Sequence, residues 1–220
     1  MTKRILYFAD PMCSWCWGFS LVIDAIARLC GERAPIRLVV GGLRTGETRP
    51  MDARTKAYIR HHWEQVETTT GQTFNYAWFD REGFVYDTEP ACRAAVAARS
   101  LAPNTTLEYL AAVQRAFYAE ARDVTREEVL AYVAVAVGLT RDDFVAIYRA
   151  PEVAEATRAD FALTASLGIA GFPTVVLRDG PSLTALSAGY QPFDALEPAL
   201  RIWLDDRLRR QYVFRESRID

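Results

Sequence analysis

Apolar and polar positions change period several times along the chain. Arg4–Ala9 is a short run of aliphatic and aromatic residues and reads as a strand. Asp10-Pro11-Met12 is a turn. From there to about Leu29, the apolar residues Phe19, Val22, Ile23, Ile26 and Leu29 recur at three- and four-residue spacing. That spacing predicts one helix, with Gly31 as its C-terminal cap. Ile36–Val40 is a second strand of buried type, closed by Gly41-Gly42. The first 42 residues therefore predict a β-α-β unit, whose two strands are parallel and whose crossover is right-handed.

Between about residues 50 and 168 strand signals are few and helix signals many. Thr88 precedes Glu89-Pro90, and proline is tolerated in a first helical turn. Thr106–Ala119 places Leu107, Leu110, Val113 and Phe117 on one face. Thr125-Arg126-Glu127-Glu128 reads as a capping box for a helix stopped by Gly138. Thr140–Asp143 opens a short helix, and Pro151–Leu167 forms another, ended by Gly168. Four or five helices are expected in this block. Strand signals then return: Thr174–Leu177, a turn at Asp179-Gly180-Pro181, and Leu183–Ala188 predict a hairpin. A last helix is expected over about 193–210, with Pro198 either kinking it or lying in its first turn. The order is β-α-β, helical block, β-β, α. It predicts an α/β unit from residues 1–48 and 169–220, interrupted by a helical insertion at 49–168.

Composition adds bounds. For 220 residues, about 150 per domain suggests one domain, or one with a large insertion. A chain this long buries about 70% of its unfolded surface and needs no disulfide staples. With 50% hydrophobic and 25% charged residues, it is neither disordered nor a coiled coil. The 26 basic and 28 acidic residues leave a net charge of −2, with none of the basic excess expected of a nucleic-acid binder. The stretch 201–220 carries six arginines against four acidic residues and reads as a solvated helix end. The N-terminal apolar run, Ile5–Ala9, is too short for a secretory signal, and no stretch approaches a membrane span. With Met1 in place, a cytoplasmic chain is expected. There thiols stay reduced, and a cysteine pair is catalytic or metal-binding more often than structural.

The main chemical signal is Cys13-Ser14-Trp15-Cys16, after a predicted strand and at a predicted helix start. The first turn of a helix has unpaired N–H groups and a partial positive charge, which favours a thiolate. Cys16 is one turn on, within reach of Cys13, so it can resolve a mixed disulfide. Three other readings compete. The pair is half of a zinc site, but the sequence has no second CxxC or CxxH, and His61 and His62 are adjacent. Alternatively both are buried structural thiols, or the scaffold is redox-inert and only binds. Cys30 and Cys92, in apolar surroundings, read as small core residues. His61-His62-Trp63 reads as a partly exposed helix feature. Tyr76, Trp78, Phe79, Phe84 and Tyr86 either pack the insertion onto the core or line a groove. A second signal is Gly171-Phe172-Pro173-Thr174 before a strand; sequence alone favours a trans bond at Pro173.

Together these features resemble the thioredoxin-like fold, and the helical insertion resembles its DsbA-like branch. The segment Asp10-Pro-Met-Cys-Ser-Trp-Cys-Trp-Gly-Phe19 is similar to cytosolic DsbA-family disulfide oxidoreductases. These are relatives of FrnE-type proteins, 2-hydroxychromene-2-carboxylate isomerases and kappa-class glutathione transferases. The resemblance covers essentially the whole chain. It implies Cys13 as nucleophile, Cys16 as resolving thiol, and Pro173 as a cis-proline facing them. It further implies a substrate-binding set of Met12, Ser14, Trp15, Phe172, Pro173 and Thr174, with Met12 and Trp15 at the rim. The Phe172 backbone would pair with an extended substrate segment or with glutathione. The partners implied are disulfide-containing proteins or small thiols. No metal or tightly bound cofactor is expected, and glutathione would be a co-substrate. Two departures refine this. The dipeptide between the cysteines is Ser-Trp rather than the Pro-His of periplasmic DsbA, which implies a less oxidising pair. The transferase and isomerase relatives generally have serine where Cys13 stands, so the second thiol favours redox work over a glutathione-dependent transferase or isomerase without net redox.

Overall fold

Strand β1 (Lys3–Ala9) lies inside a four-stranded sheet of order β2-β1-β3-β4, where β2 is Ile36–Val40, β3 Thr174–Asp179 and β4 Ser182–Ala188. The structure, a computed structural model, describes residues 3–205. The part of the 201–220 reading beyond Asp205 lies outside the described residues. β1 runs parallel to β2 and antiparallel to β3, and β3 and β4 form the expected hairpin. Ile5–Ala9 is buried without interruption because β1 is covered on both faces. Its alternation sorts the side chains. Ile5, Tyr7 and Ala9 join the large core beneath the helices, whereas Leu6 and Phe8 join a smaller cluster with Val39 and Val176.

The expected single crossover helix is two: α1 (Ser14–Gly18) and α2 (Ser20–Cys30), meeting at Phe19. Gly18 sits at that junction because α3 (Ala53–Thr70) packs directly on it. A Cβ there would lie 2.8 Å from a methyl of Val66 and 2.9 Å from one of Thr70. Helix α3 carries the expected helix feature His61-His62-Trp63, but its bounds are not marked in the sequence. Only Ile59, Trp63 and Val66 form its buried stripe within a polar sequence, so its period is faint. The insertion continues with α4 (Glu89–Leu101), α5 (Thr106–Tyr118), α6 (Glu127–Ala136), α7 (Arg141–Arg149) and α8 (Pro151–Ser166). That makes six helices between residues 53 and 166, against four or five expected. The capping box is not formed. Arg126 is the N-cap of α6 with no side-chain bond, and Thr125 bonds instead to the carboxylate of Asp123. The helix starts one residue later than the box needs, and Thr125, left outside it, donates its N–H and hydroxyl to Asp123 in a local turn. The last helix, α9 (Phe193–Leu204), ends earlier than expected, with Pro198 in its second turn.

Edge strand β2 is closed by α8. Asp160 accepts the Val40 N–H at 3.1 Å and ion-pairs with Arg99 at 2.6 Å and Arg37 at 3.1 Å. The Thr164 hydroxyl reaches the Val40 carbonyl at 3.5 Å. Edge groups that would otherwise template pairing are thus occupied by side chains. The insertion therefore shields the sheet edge on one side and, through α3 and the segment after it, abuts the helix that carries the cysteines. No helix among the described residues is long and apolar enough to cross a membrane.

Candidate active site

The turn after β1 is built on Asp10, which is fully buried. Its Oδ1 accepts the Met12 N–H at 2.8 Å, its Oδ2 accepts the Leu43 N–H at 2.7 Å, and its carbonyl accepts the Cys13 N–H at 3.1 Å. One side chain thus fixes both the cysteine loop and the end of β2. Cys13 is the N-cap of α1, with an extended backbone, and its carbonyl accepts the N–H groups of Cys16 and Trp17. Cys13 is 7% exposed and Cys16 not at all. The pair therefore has an outer and an inner sulfur. Burial, then the neighbouring Cys13, push the Cys16 thiol well above its ordinary pKa.

The opposite wall comes from the start of β3. The Phe172–Pro173 bond is cis, and the Cys13 thiol donates to the Phe172 carbonyl at 3.6 Å. The Thr174 hydroxyl donates to the Gly171 carbonyl at 2.8 Å, and the Pro173 carbonyl accepts the Gly189 N–H at 2.8 Å, so this segment is held on both sides. The Phe172 ring lies on Gly41, where a Cβ would come within 2.1 Å of it. That close approach is what requires glycine there.

The structure brings Cys13, Cys16, Phe172 and Pro173 together. Ser14 and Trp15 are half-buried on α1, with the Trp15 ring 5.9 Å from Tyr190. Phe172 is half-buried, and Pro173 and Thr174 are buried. Met12, expected at the rim, is fully enclosed in the core. Its backbone is what the loop uses, because the Tyr86 hydroxyl donates to the Met12 carbonyl. Cys30 and Cys92 are buried, as expected of core residues, but the Cys92 thiol also touches Asp10 Oδ2 at 3.4 Å. His61 and His62 contact Glu64, Gln65 and Tyr58, all on their own helix. The aromatic stretch packs the insertion: Trp63 is ringed by Phe74, Tyr76, Trp78, Phe79, Phe117 and Tyr118. Tyr86 is the member of that stretch that reaches the cysteine loop.

Sequence reasoning missed the layer beneath the pair. Burial raises the Asp10 carboxyl, against the N–H bonds from Leu43 and Met12 that lower it. Thr88, at the start of α4, bonds this carboxyl and also accepts the Arg44 N–H at 3.2 Å. Tyr7 is enclosed on the same side, its hydroxyl raised by burial and by the two cysteines. The alternation of β1 was the available signal: Tyr7 is two residues before Ala9, on the face that leads into the loop. Asp10, directly after five apolar residues, reads in the sequence only as a turn residue. Among the described residues no cluster of His, Cys, Asp and Glu is suited to hold a metal.

The sequence profile of the DSBA-like thioredoxin domain matches residues 4–201. The crystal structure of a candidate protein disulfide isomerase from Nitrosomonas europaea superposes with a TM-score of 0.87 at 38% identity, covering 93% of this chain and 98% of that one. A cytosolic disulfide reductase, DsbM from Pseudomonas aeruginosa, superposes with a TM-score of 0.76 at 29% identity, covering 90% and 99%. The same reductase with GSH gives a TM-score of 0.72 at 30% identity, over 90% of this chain and 99% of that one. Among curated sequences, the ClpXP adapter protein SpxH of Bacillus subtilis is 22% identical over 173 residues, 78% of this chain. The chain spans 57% of the length of that relative.

Proposed function

Since the chain belongs to the DSBA-like thioredoxin domain family, we propose that it is a cytoplasmic thiol–disulfide oxidoreductase or isomerase working through Cys13 and Cys16. The Cys13 thiolate attacks a substrate disulfide. A bond forms from Cys13 to one substrate sulfur, and the other leaves as a thiolate and takes up a proton. Cys16 then attacks Cys13, closing the Cys13–Cys16 disulfide and releasing the second substrate thiol. Two glutathione molecules return the pair to the dithiol and leave as glutathione disulfide. Run backwards, the same steps hand a disulfide to a substrate dithiol. Substrates are disulfide-containing proteins or small disulfides.

The carrying observation is the 3.6 Å contact between the Cys13 thiol and the Phe172 carbonyl, with Cys16 enclosed behind it. It puts a backbone acceptor beside the outer sulfur, where an extended segment or the backbone of glutathione would pair. Ser14 and Trp15 flank that position on one side, and Phe172, Pro173 and Thr174 form the other. Met12 contributes through its carbonyl. The resemblance to DsbM, a cytosolic reductase with a GSH form, supports the location and the co-substrate.

Cys16→Ala tests the reading. It should abolish turnover with glutathione and trap mixed disulfides on Cys13. Full activity of this variant on an electrophile would instead establish a glutathione-dependent transferase or isomerase without net redox.

A further inference from the structure

Tyr7 falls with Ile5 and Ala9 on the face of β1 that shares a core with Cys13 and Cys16. It is completely enclosed, and its ring lies 5.9 Å from that of Phe19, so its hydroxyl has no route to solvent. That hydroxyl makes no hydrogen bond among the described residues, although Cys16 and Cys13 are both its electrostatic neighbours in this core. An enclosed hydroxyl without an acceptor is costly and calls for an explanation. Its neighbour supplies one. A thiol sulfur is a weak acceptor, whereas a thiolate is a charged one and makes a strong bond with O–H. The Tyr7 hydroxyl therefore gains a full partner when Cys16 ionises.

We propose that Tyr7 is a catalytic residue of the second half-reaction, donating its O–H to the Cys16 thiolate. The bond forms as Cys16 attacks Cys13 in a mixed disulfide, and again as Cys16 departs when the Cys13–Cys16 disulfide is opened. Tyr7 keeps its proton throughout. The proton that Cys16 loses is matched by the one the departing substrate thiolate takes up, and no further oxidant or reductant is needed. Asp10 faces Cys16 as well, and its two parts act in opposite senses: its backbone N–H favours the thiolate, and its carboxylate opposes it. Tyr7 brings a neutral donor from the sheet, which stabilises the thiolate without a second charge. The assignment rests on Cys13 and Cys16 being a dithiol couple.

Reduced protein mixed with 5,5′-dithiobis(2-nitrobenzoate) separates the two. Attack by Cys13 releases a first equivalent of thionitrobenzoate, and closure by Cys16 releases a second. In Tyr7→Phe, which keeps the ring and removes only the O–H, the first phase should stay within about twofold. The second should slow about tenfold or more, for the loss of one hydrogen bond to a charged group. The Cys13 adduct should then accumulate on mass mapping. The melting temperature of the reduced variant should not fall, because the lost hydroxyl has no partner in that state. An unchanged second phase, or a lowered melting temperature, overturns the assignment. If the wild type itself releases no second equivalent from this pair, the dithiol reading fails, and the role of Tyr7 fails with it.

Discussion

The Cys13 sulfur and the Phe172 carbonyl oxygen meet at 3.6 Å although they are 159 positions apart in the chain. Strand register brings them together. β1 runs antiparallel to β3 with Phe8 opposite Thr174, so the loop leaving β1 and the segment entering β3 emerge at the same end of the sheet. Between those two points the chain makes its entire helical insertion and returns.

Gly41 holds the far side of that contact. In Gly41→Ala the new methyl would sit 2.1 Å from the far edge of the Phe172 ring, so the ring must swing aside and disturb the wall it forms opposite Cys13. Overpacking of this kind costs about 1–3 kcal/mol. Disulfide reduction should slow about tenfold, the order of 1.4 kcal/mol in the barrier. Adding Phe172→Ala removes the clash and should restore both the stability, as measured by urea unfolding, and the rate. A rate that stays low while stability returns would show that the ring, not the carbonyl position, matters.

Tyr86 ties the insertion to the cysteine loop. Tyr86→Phe leaves the buried Met12 carbonyl without its donor, at a cost of about 1–3 kcal/mol. Alkylation of Cys13 by iodoacetamide should change in rate relative to the wild type, while the buried Cys30 and Cys92 remain slow in both proteins. Identical Cys13 rates would mean that the loop holds its geometry without Tyr86.

Asp10 makes stability depend on pH. Burial holds its carboxyl above the ordinary 3.8, so the folded chain binds this proton more tightly than the unfolded chain does. Its contribution is then fully present below 3.8 and is lost as pH rises through the folded value. Asp10→Asn does not titrate. The unfolding free energy of the wild type, relative to this variant, should therefore decline as pH rises from about 4. A relative gain would show that the N–H groups of Met12 and Leu43 outweigh burial.

Asp160 is the buried partner of two arginines. Asp160→Ala leaves the Val40 N–H without its acceptor and the mostly enclosed Arg99 without its carboxylate, with only the Leu38 carbonyl remaining, and should cost about 3–5 kcal/mol in urea unfolding. The Arg37 side of the cluster is 42% exposed and adds little to that figure. A loss below about 1 kcal/mol would mean that water replaces the carboxylate at the sheet edge.

The frame of the fold was legible because it rests on local period: the buried run Ile5–Ala9, the apolar spacing Val22, Ile23, Ile26, and the turn before β4. The cysteine pair was legible as a motif. Other features depend on contacts that no window of sequence contains. The first helix breaks at Phe19, next to the Gly18 on which α3 packs. The capping box failed because the helix begins after Arg126, one residue late, leaving Thr125 in a turn with Asp123. Met12, apolar and next to a cysteine, is compatible with rim or core until the walls around it are known. Asp10, Tyr7 and Tyr86 come from a turn, a strand and the insertion, and only the closed fold makes them neighbours of one loop.

The central claim is that Cys13 and Cys16 interconvert between dithiol and disulfide. Equilibrating the protein across graded ratios of reduced to oxidised glutathione, quenching with acid, alkylating and mapping both cysteines by mass tests it directly. A single cooperative two-electron transition confined to this pair is the predicted result, and its midpoint places the protein as reductant or oxidant. No Cys13–Cys16 disulfide at any ratio, or glutathione held on Cys13 alone, would contradict it.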